Sequence, residues 1–232
     1  MLRHTVLFLW GENTTEEQKL VALKGLAYMS YACPTIRCLD FGTDLLGGSS
    51  PLIEVKPWER TPLWRAQKSG PVFNYDMALN EDFDDLEGLA AYSADPVHYK
   101  IGVYNEAIDR EEQTARVDWW YDGPPHLEKG LIRHSSLFVW QDEATDTQKD
   151  NVREAFRALN GGVPTVRSLV VGDNINHKST TSYDFIIDAH FSDLADFEAC
   201  REHPAYKEAL ALTVDATKYE WTARITHRMA SG

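Results

Sequence analysis

Residues 2–10, LRHTVLFLW, set three polar positions before an apolar run, and the stretch is rich in Leu, Val, Phe and Trp, which predicts a strand. Leu20, Leu23, Ala27 and Tyr31 then recur at spacings of three and four, which predicts an amphipathic helix over 15–31 with Thr14 or Thr15 as its cap. Strands follow at 35–43 and 72–80, then a helix over about 83–92 behind Asp82, a short helix after Pro96, and a closing strand in VDWWY at 117–121. The same order returns at 132–140, 145–160, 165–172, 182–190, 193–201, 204–214 and 219–227.

The return is a duplication. LRHTVLFLW at 2–10 matches IRHSSLFVW at 132–140, TEEQK at 15–19 matches TDTQK at 145–149, PTIR at 34–37 matches PTVR at 164–167, and Gly42 matches Gly172, all at an offset of 130. From Tyr75-Asp76 against Tyr183-Asp184 the offset is 108, so the first copy carries about 22 extra residues. They fall in GGSSPLIEVKPWERTPLWRAQKSGP, where four prolines oppose a long regular element while Leu, Ile and Trp oppose a purely solvated loop. The expectation is a first repeat at 1–121 with an insertion at about 48–71 folded over one mouth of the domain, a linker at 122–130, and a second repeat at 131–232.

The fold class is therefore α+β, with two β-α-β-β-α-β units of ferredoxin-like type. Each would form a four-stranded antiparallel sheet with helices on one face and an apolar surface on the other. Packing the two sheets face to face closes an α/β barrel within one chain. Such an internal pseudo-dimer permits a monomer and is compatible with a further homodimer through its helix faces.

Composition narrows the partners. Lys plus Arg number 23 against 36 Asp plus Glu, a formal charge of -13, and the aromatic residues are not set among basic ones, which disfavours nucleic acid. No stretch approaches the ~18 apolar residues of a membrane span, and the N-terminus has no small-residue cleavage site after its short apolar run, so a cytoplasmic address with no membrane partner is expected. Cys33, Cys38 and Cys200 form no CxxC pair and read as reduced apolar fillers.

Candidate chemistry concentrates in the first repeat. His4 shares strand parity with Val6, Phe8 and Trp10, either as a core histidine or as a base in a cavity. Tyr92 and His98 flank SADPV between two helices, where the turn can bring phenol and imidazole to one cavity as oxyanion donor and base. A packed Tyr beside a surface His is the bland alternative. The second repeat has Cys200 and Tyr206 at those places, with His203 nearby and His134 opposite His4, so it lacks the pair. No histidine spacing suggests a metal, and although His4, His98 and Asp76 could converge, no metal is expected. No GxGxxG, P-loop or GxSxG is present, so no cofactor is expected. The acidic runs NEDFDD and DREE read as solvated helix starts.

The RHxxxF first strand, the EEQK-like helix start, the P-x-[IV] entry to the second strand, Gly42 or Gly172 and the closing DPVHY or HPAYK together resemble the stress-responsive dimeric α/β-barrel (Dabb) proteins, in tandem form, over about 200 of the 232 residues. Within that family the first repeat is similar to the plant polyketide cyclases of the olivetolic acid type, which close aromatic acids by intramolecular aldol condensation. That resemblance implies Tyr92 and His98 as the catalytic pair and His4 as a further pocket residue, while a third-strand pocket histidine of those enzymes is replaced by Met77. What it implies for this chain is a cofactor-independent lyase or cyclase that takes a proton alpha to a carbonyl, or from a phenol, of a small aromatic or polyketide-like molecule. Phe8, Trp10, Phe73, Tyr75, Met77 and Trp119 would line the pocket, with ordinary core packing as their alternative role, and Trp58 and Trp64 would exclude water. A cofactor-free monooxygenase of phenols and a non-catalytic ligand-binding or stress-related protein are the rival readings.

Overall fold

In the computed structural model, residues 1–46, 74–109, 114–122, 129–176 and 183–231 are described. The first repeat runs β1 (Leu2–Phe8), α1 (Glu16–Ala32), β2 (Cys38–Thr43), β3 (Met77–Phe83), α2 (Leu86–Ser93), α3 (Pro96–Glu106) and β4 (Ala115–Trp120). The second runs β5 (Ile132–Phe138), α4 (Asp146–Gly162), β6 (Ser168–Asp173), β7 (Phe185–Phe191), α5 (Leu194–Glu202), α6 (Pro204–Ala216) and β8 (Ala223–Arg228), with β9 (Ala230–Ser231) at the end. Strand orders are β4-β1-β3-β2-β9 and β6-β7-β5-β8, and every pairing is antiparallel. Two ferredoxin-like repeats in one chain are thus present, as the duplicated sequence predicts. The proposed insertion at 48–71, with Trp58 and Trp64, lies outside the described residues, as do Phe73 and most of the 122–130 linker.

Local chemistry fixes the helix starts. Thr15 and Thr145 each accept from the amide three residues on, and Gln18 and Gln148 return a bond to the cap backbone, so both repeats open α1 and α4 with a capping box. Thr14 instead donates its hydroxyl to the Ile108 carbonyl. The core stripe of α1 is Ala22, Leu26 and Met29, continued by Cys33, whereas Leu20 and Tyr31 of the expected stripe are exposed. This helix carries two apolar stripes, and periodicity alone cannot say which one meets the sheet. The helix after β3 begins at Leu86 with Asp85 as its cap, not behind Asp82. Asn80, Glu81 and Asp82 of the acidic run NEDFDD lie buried within β3, which corrects the solvated helix start; only Asp84 and Asp85 of that run are exposed.

Along β1 the even residues Leu2, Val6 and Phe8, followed by Trp10, pack under the helices, while Leu7 and Leu9 face the opposite sheet. The facing surfaces meet in a core of Leu7, Ala78, Val117, Trp119, Leu137, Tyr183, Ile186 and Ile225. At both edges the two sheets touch through backbone. Ile175 N–H donates to Asp118 O, and Leu45 N–H donates to Thr226 O. Tyr75 N–H donates to Arg224 O, and its repeat-mate Tyr183 N–H donates to Arg116 O. These paired seams make the sheets a closed barrel with a pseudo-twofold axis.

The repeated glycines belong to those seams. A β-carbon at Gly42 would lie 2.6 Å from His227 Cδ2, and one at Gly172 would fall inside the Trp119 indole. Trp119 and His227 are themselves repeat-mates, so each repeat presses one ring onto the other's glycine. Gly172→Ala is expected to cost about 1–3 kcal/mol through overpacking, read as a lowered urea midpoint with an unchanged m-value.

Polar residues occupy the barrel interior as well. Arg3 donates to both oxygens of Asp82, at 2.6 and 2.8 Å, and to Asp188 at 3.2 Å. Arg133 donates to Asp188 at 2.8 and 2.7 Å and to Asp40 at 3.1 Å, and His227 Nε2 lies 2.9 Å from Asp40. All six side chains are buried. The contacts Arg3–Asp188, Arg133–Asp40 and His227–Asp40 cross between repeats. Burial alone would raise the pKa of Asp40 and Asp188, but the neighbouring cations hold both far below the usual carboxylate range.

Candidate active site

The largest difference between the repeats lies under the helices. In the first repeat a cavity of about 350 Å3 opens between the sheet and α1–α3, with His4, Phe8, Leu26, Leu79, Tyr92 and His98 among its walls. In the second the corresponding space is about 20 Å3, room for little more than one water molecule. Phe156, Phe197, Cys200, Tyr206 and Arg224 crowd it.

Each polar wall residue has a local reason for its place. Asp95 caps α3 by accepting from Val97 N–H at 2.7 Å, and Pro96 occupies the first helical position. This tight link brings the rings of Tyr92 and His98 into contact, with centroids 4.2 Å apart, and the His4 ring lies 6.5 Å from Tyr92. The Tyr92 hydroxyl points to Met29 Sδ at 3.9 Å rather than to either imidazole. Three ring systems named from the sequence therefore meet at one open cavity.

His4 is held from below. It faces Asp118 on β4 and Glu81 on β3 in register, and its Nδ1 lies 2.5 Å from Asp118 Oδ1. Asn176 donates to the other Asp118 oxygen at 2.7 Å. Burial pulls the His4 pKa down, but the bond and charge of Asp118 outweigh it and the pKa is raised, the more so when Glu81 is ionised. His98 moves the opposite way. Burial lowers its pKa, the positive charge of His4 adds to that, and the Ser93 backbone opposes it. The Tyr92 phenol is raised well above its usual value by burial and by the Glu81 carboxyl. Two histidines in one cavity are thus pushed apart in acidity.

Other expected pocket residues lie elsewhere. Trp10 and Met77 pack into the same helix-side core but do not line the cavity. Tyr75 and Trp119 face the opposite sheet, which corrects their place in the pocket. Tyr75 precedes β3, and its amide bond to Arg224 O turns its ring into the barrel. Trp119 has the parity of Val117, on the barrel face of β4, where its indole N–H donates to Thr5. Asp76 is occupied by the Trp10 amide at 2.8 Å, at the strand end and outside the cavity walls. In the second repeat His134 is bonded to Thr226 and Ser136, and burial with the charges of Arg224 and Arg201 pushes its pKa down to about 3. Tyr206 fills the small cavity, and His203 caps α6 by accepting from Ala205 N–H. Among the described residues no group of three or more His, Cys, Asp or Glu side chains forms a metal-binding cluster, and no helix is long and apolar enough to cross a membrane.

Glu81 and Asp118 were not singled out from the sequence. A signal existed, because Glu81 shares the parity of Met77, Leu79 and Phe83, a charge set into an apolar strand face. Their repeat-mates are Ala189 and Thr226. The carboxyls that flank His4 therefore accompany the open cavity and are missing from the closed one.

With this geometry in place, comparison with known proteins adds a family. Residues 132–223 match the model of the Stress responsive A/B Barrel Domain. The second repeat is a Dabb domain. The first repeat shares its element order and strand pairing. Two solved structures match the fold over nearly the whole chain. One, described as a "putative monooxygenase" from Lactobacillus acidophilus NCFM, is 12% identical with a TM-score of 0.53, covering 99% of this chain and 93% of that one. The other, described in the same words, from Fusobacterium nucleatum subsp. nucleatum, is 9% identical with a TM-score of 0.62, covering 98% and 91%. A hydroxynitrile lyase from Passiflora edulis matches 44% of this chain with 96% of its own, at 13% identity and a TM-score of 0.40. No curated protein matches the chain significantly.

Proposed function

We propose that the first repeat is a cofactor-independent acid–base enzyme of lyase or cyclase type, acting on a small aromatic or polyketide-like molecule. The observation that carries this reading is the meeting of His4, Tyr92 and His98 at one open cavity, with the two imidazoles pushed in opposite directions.

In this reading His98, kept neutral, takes the proton alpha to a carbonyl. The Ser93 backbone holds one ring N–H, and the other ring nitrogen is the acceptor. The C–H electron pair moves onto the carbonyl oxygen as an enolate. His4, kept cationic by Asp118, donates to that oxygen through Nε2, since Nδ1 is engaged. Tyr92 supplies a second donor, because a thioether is a weak acceptor that an oxyanion displaces readily. Carbon–carbon bond formation, cleavage or elimination each proceed from such an intermediate. Phe8, Leu26 and Leu79 give the apolar walls that an aromatic substrate needs.

The test is proton exchange. Wild-type protein is incubated in D2O with a panel of aryl methyl ketones and aromatic 1,3-diketones, and loss of the alpha C–H signal is followed by NMR. Exchange above the buffer rate with at least one probe is expected. No exchange across the panel, together with oxygen uptake on simple phenols, would move the assignment to a cofactor-free monooxygenase. Neither exchange nor uptake, but a raised melting temperature with aromatic acids, would indicate ligand binding alone.

A further inference from the structure

Glu81 is the most deeply buried ionisable group beside the cavity and has no part in the mechanism above. It is wholly inaccessible to solvent, and neither carboxyl oxygen makes a hydrogen bond of good geometry, the Tyr92 hydroxyl being the one donor near enough to act on its acidity. An ionised carboxylate in that setting would pay most of its desolvation cost unrelieved. The groups around it can be named element by element. His4 faces it from β1, with Asp118 beyond on β4, and Asp82 is its neighbour on β3. β2 offers only Leu39 in register. Tyr92 comes from α2, and Cys33 from the end of α1.

Charge counting in this row assigns the proton. Glu81, His4 and Asp118 lie side by side across three strands. One imidazolium can balance one carboxylate, and Asp118 already holds it at 2.5 Å with support from Asn176. Glu81 is left as the neutral acid. Its pKa is pushed up to about 7, by burial first and against the pull of His4 and Tyr92.

We propose that Glu81 is a positioning residue of the first-repeat site, whose protonation decides whether the Tyr92 hydroxyl is offered to the cavity or drawn back to a buried carboxylate. This rests on the site assignment under Proposed function, but its test does not require turnover. With Glu81 neutral, its pull on the phenol proton is weak, and the hydroxyl, 3.9 Å from Met29 Sδ, is available to a developing oxyanion. Once Glu81 loses its proton, the carboxylate becomes the strongest acceptor near Tyr92 and also competes with Asp118 for His4. The site is then competent on the acid side of this ionisation and is switched off on the alkaline side. The second repeat, with Ala189 in this place and a closed cavity, has no such device.

The experiment uses the full chain carrying 13Cζ-labelled tyrosine, with the Tyr92 signal assigned through Tyr92→Phe. In wild type the Tyr92 Cζ shift is expected to titrate with a midpoint near pH 7, although the phenol itself stays protonated. In Glu81→Gln that inflection is expected to vanish. Stability supplies a second readout with a fixed sign. A carboxyl whose folded pKa lies above its unfolded value contributes stability at low pH that is lost as pH rises through the folded pKa. Glu81→Gln should therefore approach wild type below pH ~4.5 and melt higher than wild type at pH 8. If the glutamine variant fails to fold, Glu81→Ala, the residue of the second repeat, takes its place. A Tyr92 signal flat from pH 5.5 to 8.5, or an inflection that survives in the variants, overturns the proposal. Where exchange of the ketone probes is found, its alkaline decline should also disappear in Glu81→Gln. Absence of all exchange with the Tyr92 inflection intact would count against the enzyme and not against the switch.

Discussion

Arg133→Met is expected to destabilise the protein by about 3–5 kcal/mol, the scale for removing one partner from a buried ion pair. Methionine keeps much of the apolar stem, so the loss is electrostatic rather than a cavity. Arg133 is 1% exposed and holds two carboxylates at once, Asp188 through two bonds and Asp40 through a third. Without it Asp40 retains His227, and Asp188 retains Arg3 and Ser135, but each is left with less compensation than its burial demands. Urea unfolding at pH 7 reads the change. The gap between wild type and variant should narrow as the solution is acidified. Asp40 and Asp188 have folded pKa values below their unfolded ones, so their contribution is present above pH ~4 and is lost as pH falls. The variant has less of that contribution to lose. A loss under about 1 kcal/mol at pH 7 would mean that solvent reaches the network and that it screens the pair.

His98→Ala is expected to lower exchange of the alpha proton by about 100- to 10,000-fold, the usual range for a positioned general base. The decisive comparison is with Tyr206→Phe, its counterpart in the second repeat, where the cavity of about 20 Å3 leaves no room for substrate. That variant should exchange at the wild-type rate. Equal losses in both would place the chemistry somewhere other than the first-repeat cavity. A loss confined to His98→Ala, with melting temperature unchanged, would tie the base to its ring. His98 is only partly buried, so truncation should leave the fold intact.

Much of the architecture was legible because the duplication prints each element twice, and a strand or helix that recurs at a fixed offset is hard to misread. The parity of His4 on β1 and the Asp95–Pro96 link between Tyr92 and His98 were legible for the same reason, since both are local features. What stayed hidden depended on strands distant in the chain, of the same sheet or of the other repeat. Nothing in NEDFDD says that three of its residues continue a strand into a buried interior, because carboxylates next to a helix start have an ordinary explanation. Only Arg3 facing Asp82, and the proton that Glu81 keeps beside His4, make that burial tolerable, and both partners lie more than 70 residues away. Trp119 and Tyr75 were misplaced by the same blindness. An aromatic residue on a strand suits either face, and the choice here is made by Gly172 and by the Arg224 carbonyl of the other repeat.

The interior ion network has drifted away from twofold symmetry even though the backbone has kept it. Arg3 and Arg133 are repeat-mates, but Asp40 corresponds to Val170, Asp82 to His190, and Asp188 to Asn80. Two first repeats brought together would bury four carboxylates against two guanidinium groups, and would set Trp119 where His227 now meets Gly42. Two second repeats would set two guanidinium groups against two carboxylates, but they would double the histidines at His190 and His227 and lose Asp40, the partner of His227. Only the unlike pairing sets Asp40 against both Arg133 and His227. Because Arg3–Asp188, Arg133–Asp40 and His227–Asp40 all cross between the repeats, halves cut apart and mixed are expected to pair unlike with unlike. Recognition between the halves is vested in the barrel interior, so the space under the helices can be open in one half and closed in the other without cost to their pairing.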